Sequence, residues 1–154
     1  MFLTLLGLAA LLLVVGTLVV PNAAEVILLD GATGKTAATA WTLRLYTAIS
    51  PALANTTVVA HLTEATGGGY VAIALTAANW VTTGGSPTSS AYPIQTFTFT
   101  GALSGSVAVL GYYITRADGS LVAIEALGAS YTPLANGDTL AVTPTITLAS
   151  VSTD

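Results

Sequence analysis

Short runs in which apolar residues alternate with threonine constrain the fold of this chain more than any other feature. In Thr96–Thr100 both phenylalanines fall on one side and the threonines on the other. Between Thr139 and Leu148, four apolar residues (Leu140, Val142, Ile146 and Leu148) alternate in the same way with threonine and alanine. A period of two, with β-branched and aromatic side chains, is typical of strands with one buried face. The sequence therefore predicts an all-β fold.

Further runs with strand character lie at residues 41–46, 57–62, 70–75, 107–115 and 121–127. The run 107–115 is apolar on both faces, as expected of a central strand, and Asp118–Gly119 after it predicts a hairpin. About seven or eight strands separated by turns favour an antiparallel β-sandwich, Ig-like or jelly-roll-like, over residues 40–154. Because proline cannot donate a ladder hydrogen bond, Pro144 predicts that the last strand is bulged or at an edge.

The first twenty residues contain no charged side chain, and Lys35 is the first basic residue. Twenty apolar residues in a helix span about 30 Å, the thickness of a bilayer core. Residues 1–20 are therefore interpreted as an apolar helix or arm, with three origins left open. They are a secretory signal or membrane anchor, an arm buried against a partner subunit, or the product of a misplaced start codon.

Residues 21–39 are predicted to form a short helix and a loop. Asn22 is a suitable helix cap, and Glu25 completes a pattern that resembles a capping box. Gly31 is expected to end the helix, which covers roughly residues 23–30, in a left-handed conformation.

Composition excludes several classes of function. Only 6% of the 154 residues are charged, with 7 acidic and 3 basic side chains and a net charge of −4, whereas soluble domains carry roughly 25% charged residues. Three cations argue against a nucleic-acid partner, and the lack of cysteine excludes disulfides and thiolate metal sites. One histidine excludes a multi-histidine metal site in a single chain. We expect no cofactor and no metal, and a neutral, threonine-rich surface that contacts other protein.

Motifs that suggest chemistry are weak. Gly31–Thr36 ends in Gly-Lys-Thr, but Leu29 stands where a phosphate-binding loop needs glycine. His61, with Glu64 three residues later, is the one candidate general base, and we interpret it as a strand-end imidazole with a backbone partner. Asn55–Thr57 matches a glycosylation acceptor, a pattern of little weight without a secretory context. No catalytic residue is predicted.

The carboxylates and aromatic residues have structural interpretations that we prefer. Glu64, Asp118, Glu125 and Asp138 lack the dense spacing of a calcium loop, and the two aspartates stand where turns favour Asp. The aromatic side chains are expected to pack in the core, with hydroxyl groups at its rim, rather than to form a carbohydrate-binding face. Those after residue 20 are Trp41, Tyr46, Tyr70, Trp80, Tyr92, Phe97, Phe99, Tyr112, Tyr113 and Tyr131.

Several strings together resemble a group of small virion proteins of tailed bacteriophages. They are Val20–Val26, Leu43–Tyr46 followed by Leu62–Ala65, Gly69–Trp80, and Gly111–Thr115. The resemblance covers about residues 19–148, and residues 1–18 depart from it. It implies a head-decoration or cement role on the capsid exterior, with no catalytic motif. The partners it implies are the major capsid protein or copies of this chain.

The expected function is thus a non-enzymatic, homo-oligomeric virion protein that acts through subunit contacts. The predicted interface residues are Leu5, Leu8, Leu12, Val15, Asn22, Glu25 and Pro144. The alternative is a secreted or membrane-anchored prokaryotic surface or filament subunit or an adhesive β-domain. A membrane is a partner only if residues 1–20 act as a signal or anchor. A hydrolase or carbohydrate-binding module would require a concave site containing His61 and carboxylates, or a row of exposed rings.

Overall fold

The computed structural model describes residues 18–21, 24, 25, 28, 31, 40–84 and 88–148. Within them the chain forms antiparallel strands and three short 3₁₀ helices, and residues 24, 25, 28 and 31 are helical. The strands confirm the predicted all-β class. The strands are β1 (Leu18–Val19), β2 (Trp41–Ile49), β3 (Leu62–Glu64), β4 (Ile73–Leu75), β5 (Val81–Thr83), β6 (Thr88–Ala91), β7 (Gln95–Thr100), β8 (Val109–Arg116), β9 (Leu121–Tyr131), β10 (Asn136–Val142) and β11 (Thr145–Leu148). The 3₁₀ helices are Val59–His61, Ala77–Asn79 and Ser104–Ser106.

The largest sheet has the strand order β1-β9-β8-β2-β3, and β4 also pairs with β2. β8 and β9 form the predicted hairpin, in which the Arg116 amide donates to the Ser120 carbonyl at 3.0 Å. Gly119 has a positive φ of 83° in this turn, which glycine adopts without strain. On the far side of β2, β4 pairs with residues 41–43 and β3 with residues 46–49. The edge of β2 is therefore shared by two short strands.

The strand pairs β10–β7 and β11–β6 of the two remaining sheets follow one another along the chain, and we call them together the common ladder. β10 pairs with β7 and β11 pairs with β6, both antiparallel. Between the two pairs the Tyr92 amide donates to the Pro144 carbonyl at 2.8 Å. The predicted strand over 139–148 is thus two strands interrupted at Pro144, because proline has no amide to donate. β5 extends the second pair as the strand next to β6.

One hydrophobic cluster, called the main core, joins side chains of the six-stranded sheet with those of the common ladder. Phe97, Phe99 and Leu140 pack in the same cluster as Leu43 and Tyr112. The alternation predicted for Thr96–Thr100 is confirmed, since the two phenylalanines are buried and the threonines are exposed. A shared core of this kind supports the sandwich, whose arrangement stays a prediction.

A second cluster lies on the other face of the six-stranded sheet. Tyr46, Tyr113, Leu121 and Ile124 are buried there, and Val19 of β1 packs against them. β8 lies between β9 and β2 and contributes to both clusters. It is therefore the central strand that its two apolar faces predict.

Some predicted elements are wrong. Residues 57 and 58 follow a turn, residues 59–61 form a 3₁₀ helix, and the strand there begins only at Leu62. The cause is local, because the Thr57 amide donates to the Ala54 carbonyl at 3.0 Å and the Thr57 hydroxyl accepts from the Ala54 amide at 3.0 Å. β5 and β6 were not predicted.

The N-terminal region is described only in part. Leu18 and Val19 are in a strand, so the predicted apolar helix does not extend to residue 20, and residues 1–17 lie outside the described residues. Residues 24, 25 and 28 are helical, and the Ala24 amide donates to the Pro21 carbonyl at 2.7 Å, while the full extent of the predicted helix over 23–30 stays a prediction. Gly31 is not in the left-handed conformation expected of a helix end. In the described part of the chain, no helix is both long and apolar enough to cross a membrane.

Candidate assembly surface

Arg44 and Glu64 form a two-pronged ion pair on the outward face of β2 and β3. One guanidinium nitrogen of Arg44 donates to both Glu64 carboxylate oxygens at 2.9 Å, and Arg44 Nε donates to the Thr115 hydroxyl at 3.3 Å. Arg44 lies on this face because Leu43 and Leu45 on either side of it are buried in the main core. About a third of each charged side chain remains exposed, so the pair stabilises the fold modestly.

Two tyrosine hydroxyls complete this polar cluster. Tyr70 donates to Glu64 at 3.0 Å and accepts from the Leu45 amide at 3.1 Å. Burial, followed by the negative charge of Glu64 and the hydrogen bond to it, outweighs the Leu45 hydrogen bond and raises the pKa of Tyr70. The pKa of Tyr113 is raised to about 12, first by burial and then by Glu64. The charges of Arg44 and Glu64 thus balance each other, the two tyrosines keep their protons at neutral pH, and the polar groups of the cluster find their partners within the chain.

The two turn aspartates accept hydrogen bonds from backbone amides of their own turns, as the sequence predicts. Asp118 accepts from the Ser120 amide at 2.9 Å, and this hydrogen bond is the main cause of its lowered pKa. Asp138 accepts from the Leu134 amide at 2.7 Å and the Ala135 amide at 2.9 Å, and these bonds hold its pKa below the ordinary value. Both carboxylates are therefore occupied by turn geometry.

Glu125 is a buried carboxylate that sequence reasoning did not place. Only 8% of the residue is exposed, and the Tyr112 hydroxyl donates to Glu125 Oε2. The two residues face each other across β8 and β9. Burial raises the pKa of Tyr112, and its hydrogen bond to Glu125 and the Glu125 charge raise it further. The pairing depends on the strand register, which no short motif in the sequence reveals.

Among the described residues, every charged side chain except that of Glu25 has a polar partner in its own chain. The partners of the others are given above, and Arg116 forms an ion pair with Asp118 at 3.9 Å. Strands β5, β6, β7 and β11 contain no charged residue, and β10 contains only Asp138. Their exposed positions are mainly hydroxyl-bearing. We call the four strands without a charged residue (β5, β6, β7 and β11) the uncharged layer.

β5 is the end strand of its sheet within the described structure, and it pairs with β6 alone. All three of its residues are exposed, and 65% of Val81 is accessible to solvent. Edge strands are usually protected by charge, proline or a covering element. The uncharged layer therefore presents a free edge together with a neutral face.

The predicted interface residues have different outcomes. Leu5, Leu8, Leu12, Val15 and Asn22 lie outside the described residues, and Glu25 is exposed. Pro144 is buried within its own chain, so its side chain is not part of a surface. Pro144 lies inside the common ladder, between β10 and β11, and its part in an assembly interface stays a prediction.

His61 has the backbone partner that the sequence predicts, since its Nδ1 accepts from the Val58 amide at 3.3 Å. In the glycosylation-like string, Asn55 is exposed, whereas Thr57 is only 2% exposed. Lys35 and Thr36 of the Gly-Lys-Thr string lie outside the described residues. Within the described structure, no three His, Asp or Glu side chains approach closely enough to share a metal ion.

The aromatic residues of the described structure pack as the sequence predicts. Ten of the eleven aromatic residues, all except Phe2, lie within the described residues and are buried or half-buried. Trp80 makes edge contacts with Trp41 at 5.4 Å and with Tyr92 at 5.2 Å between ring centroids. The Tyr92 hydroxyl accepts from the Thr76 amide at 3.0 Å and the Asn79 side chain at 3.1 Å. These hydroxyls serve the fold at the rim of the core.

Comparisons with protein-family models, curated proteins and solved structures found no match. The resemblance to bacteriophage virion proteins stays a prediction. The functional argument therefore depends on the residues of this chain.

Proposed function

We propose that this protein is a non-enzymatic structural component of a virion that decorates or cements a bacteriophage capsid through subunit contacts. Its partners would be the major capsid protein or copies of itself on the capsid exterior. The body of the protein would be an antiparallel β-sandwich. Two observations carry the proposal: almost every described charged side chain has a partner within its own chain, and the exposed residues of the uncharged layer carry no charge.

The physical argument concerns desolvation. Removing a charged group from water on association costs several kcal/mol unless it finds a partner. Hydroxyl and apolar groups cost less, and each 100 Å² of apolar surface removed from water contributes roughly 2.5 kcal/mol before the cost of association. A layer such as β5, β6 and β7, with no charged residue, is therefore suited to contact with neighbouring protein.

Location is the first test. Antibodies against the full chain are applied to particles purified from a lysate of the source culture, and the particles are viewed by electron microscopy. The proposal expects label on capsid exteriors and the protein in the purified particle fraction. Recovery only from the cell envelope or culture medium, with none in particles, would contradict it and favour the surface-subunit alternative.

The second test places charge on the uncharged layer. Thr98→Lys and Val81→Lys change exposed side chains of β7 and β5, and Ala117→Lys changes an exposed hairpin residue outside the layer. We expect the first two variants to reduce occupancy on particles about tenfold or more, since a buried unpaired charge weakens association strongly. The Ala117 variant should bind as the parent does. Equal occupancy for all three would rule out this surface.

A further inference from the structure

Asn136 is the first residue of β10 and is followed by Gly137, and both residues are exposed. The other asparagines of the chain are followed by alanine, threonine or tryptophan. Gly137 has a positive φ of 93°, and a Cβ at this position would meet no atom within 4 Å. The Asn136 side chain is therefore next to a residue that has no side chain and has open space around its Cα.

An asparagine side chain can react with the backbone nitrogen of the residue that follows it. The Gly137 nitrogen would lose its proton to hydroxide and form a bond to Asn136 Cγ, while the bond from Cγ to the side-chain nitrogen breaks and ammonia leaves. Water then opens the five-membered succinimide ring. Opening at the new bond gives aspartate, and opening at the original peptide bond gives isoaspartate, whose backbone runs through Cγ and is one atom longer.

We propose that Asn136 deamidates spontaneously in the folded protein and that β10 accommodates the isoaspartate product. Glycine favours the first step, because a Cβ on the attacking residue would crowd its approach to Cγ. Asn55 is also exposed, but the branched side chain of Thr56 opposes the same approach. Asn79 is held in place, since its side-chain amide donates to the Tyr92 hydroxyl at 3.1 Å.

Asp118 and Gly119 form a comparable pair in the hairpin between β8 and β9, with the same open space around the glycine. The Asp118 carboxylate accepts a hydrogen bond from the Ser120 amide, which lowers its pKa and keeps it ionised. An ionised carboxylate is a poor electrophile, whereas the side-chain amide of Asn136 carries no charge. The reaction is therefore expected at Asn136 rather than in the hairpin.

The pairing of β10 with β7 is irregular beside Asn136. Asn136 pairs with Thr100 and Thr139 pairs with Thr98, so two residues of β10 face one residue of β7. Isoaspartate lengthens the backbone just before this bulge, where the two strands are already out of step. The regular ladder begins again at Thr139 and includes the buried Leu140. We expect this ladder to keep its register in the product.

Either product adds one negative charge to the net charge of −4. The new carboxylate belongs to β10, which pairs with β7 of the uncharged layer. Deamidation therefore places a charge on the strand that borders the uncharged layer. This inference does not depend on the proposed virion function.

Incubation of the full, folded chain at mildly alkaline pH tests the reaction, followed by peptide mass spectrometry around Asn136 and Asn55. We expect the Asn136 amide to become an acid about tenfold faster or more than that of Asn55, because a β-branched residue follows Asn55. An isoaspartyl methyltransferase should label residue 136, and Asn136→Gln and Gly137→Ala should each lower the labelling. Reaction of Asn136 no faster than that of Asn55, or labelling that survives Asn136→Gln, would overturn the proposal.

The fold of the product is tested after anion exchange has separated it from the parent. Asn136→Asp is the matched control, because it has the new charge without the added backbone atom. We expect the isoaspartate form to keep native circular dichroism and to unfold in urea at nearly the same midpoint as the control. Loss of native circular dichroism in the isoaspartate form would overturn its accommodation by β10, and the control would show whether the charge or the added atom is the cause.

Discussion

The hydroxyl of Tyr70 accepts a hydrogen bond from the backbone amide of Leu45 at 3.1 Å. Leu45 lies on the edge of β2, between the residues paired with β4 and those paired with β3. Leu45 is fully buried, so its amide has little access to water. A side chain thereby completes the hydrogen bonding of an edge that two short strands leave interrupted. The same hydroxyl donates to Glu64, which connects this edge to the Arg44 ion pair.

Tyr70→Phe is expected to destabilise the protein by about 1–3 kcal/mol, because it leaves a buried amide without an acceptor. The ring contact with Phe97 at 5.9 Å is retained, so the variant isolates the hydroxyl. Urea unfolding measures the change. Glu64→Gln and the double variant complete a cycle in which we expect a coupling of about 0.5 kcal/mol or more. A Tyr70 variant as stable as the parent would show that water replaces the hydroxyl.

Gly111→Ala is expected to destabilise the fold by about 1–3 kcal/mol or more. A Cβ at Gly111 would overlap the Glu125 carbonyl oxygen and the Tyr46 ring. The carbonyl belongs to the neighbouring strand and is fixed by the ladder, so the overlap is not relieved by a side-chain rotation. Gly101→Ala is the matched control, since its Cβ meets nothing within 4 Å and its φ is not left-handed. Thermal unfolding measures the change, and an equal fall in the unfolding midpoint of both variants would contradict this account.

Local signals in the sequence predicted those parts of the fold that local chemistry determines. Phe97 and Phe99 have the period of a half-buried strand, and Asp118–Gly119 has the chemistry of a hairpin turn. The run that became β8 is apolar on both faces because both of its neighbours are strands and both of its faces pack. In each case a few adjacent residues are sufficient to predict the strand or the turn.

The missed features depend on residues distant in the chain. β6 reads Thr-Ser-Ser-Ala, which has no apolar period, and it is a strand because β5 and β11 both pair with it. The contact of Tyr112 with Glu125 exists only once β8 and β9 are in register. The Arg44, Glu64 and Tyr70 cluster likewise requires three elements to meet at the edge of β2. Period and turn signals contain no information about such pairings.

Tyrosine ionisation gives a prediction for alkaline pH. Burial raises the pKa of Tyr46, Tyr70, Tyr112, Tyr113 and Tyr131, that of Tyr113 to about 12. A folded pKa above the unfolded value near 10 contributes stability that is complete below about pH 10 and is lost as the pH rises through the folded value. Unfolding should therefore accompany tyrosinate absorbance as the pH rises from about 10 to 12. Full tyrosinate absorbance at about pH 10 with native circular dichroism would contradict this.

Asp138 gives the corresponding prediction for acid. The Leu134 and Ala135 amides lower its pKa, so its contribution to stability is present above the unfolded pKa of about 4 and is lost as the pH falls through the lower folded value. Asp138→Asn should reduce stability at neutral pH and flatten the decline in stability below about pH 4. Glu25→Gln removes an exposed negative charge and serves as the control, with the parent's decline retained. The measurement is urea unfolding across this pH range. The same acid slope in the Asp138 variant and in the parent would show that the turn does not depend on the carboxylate charge.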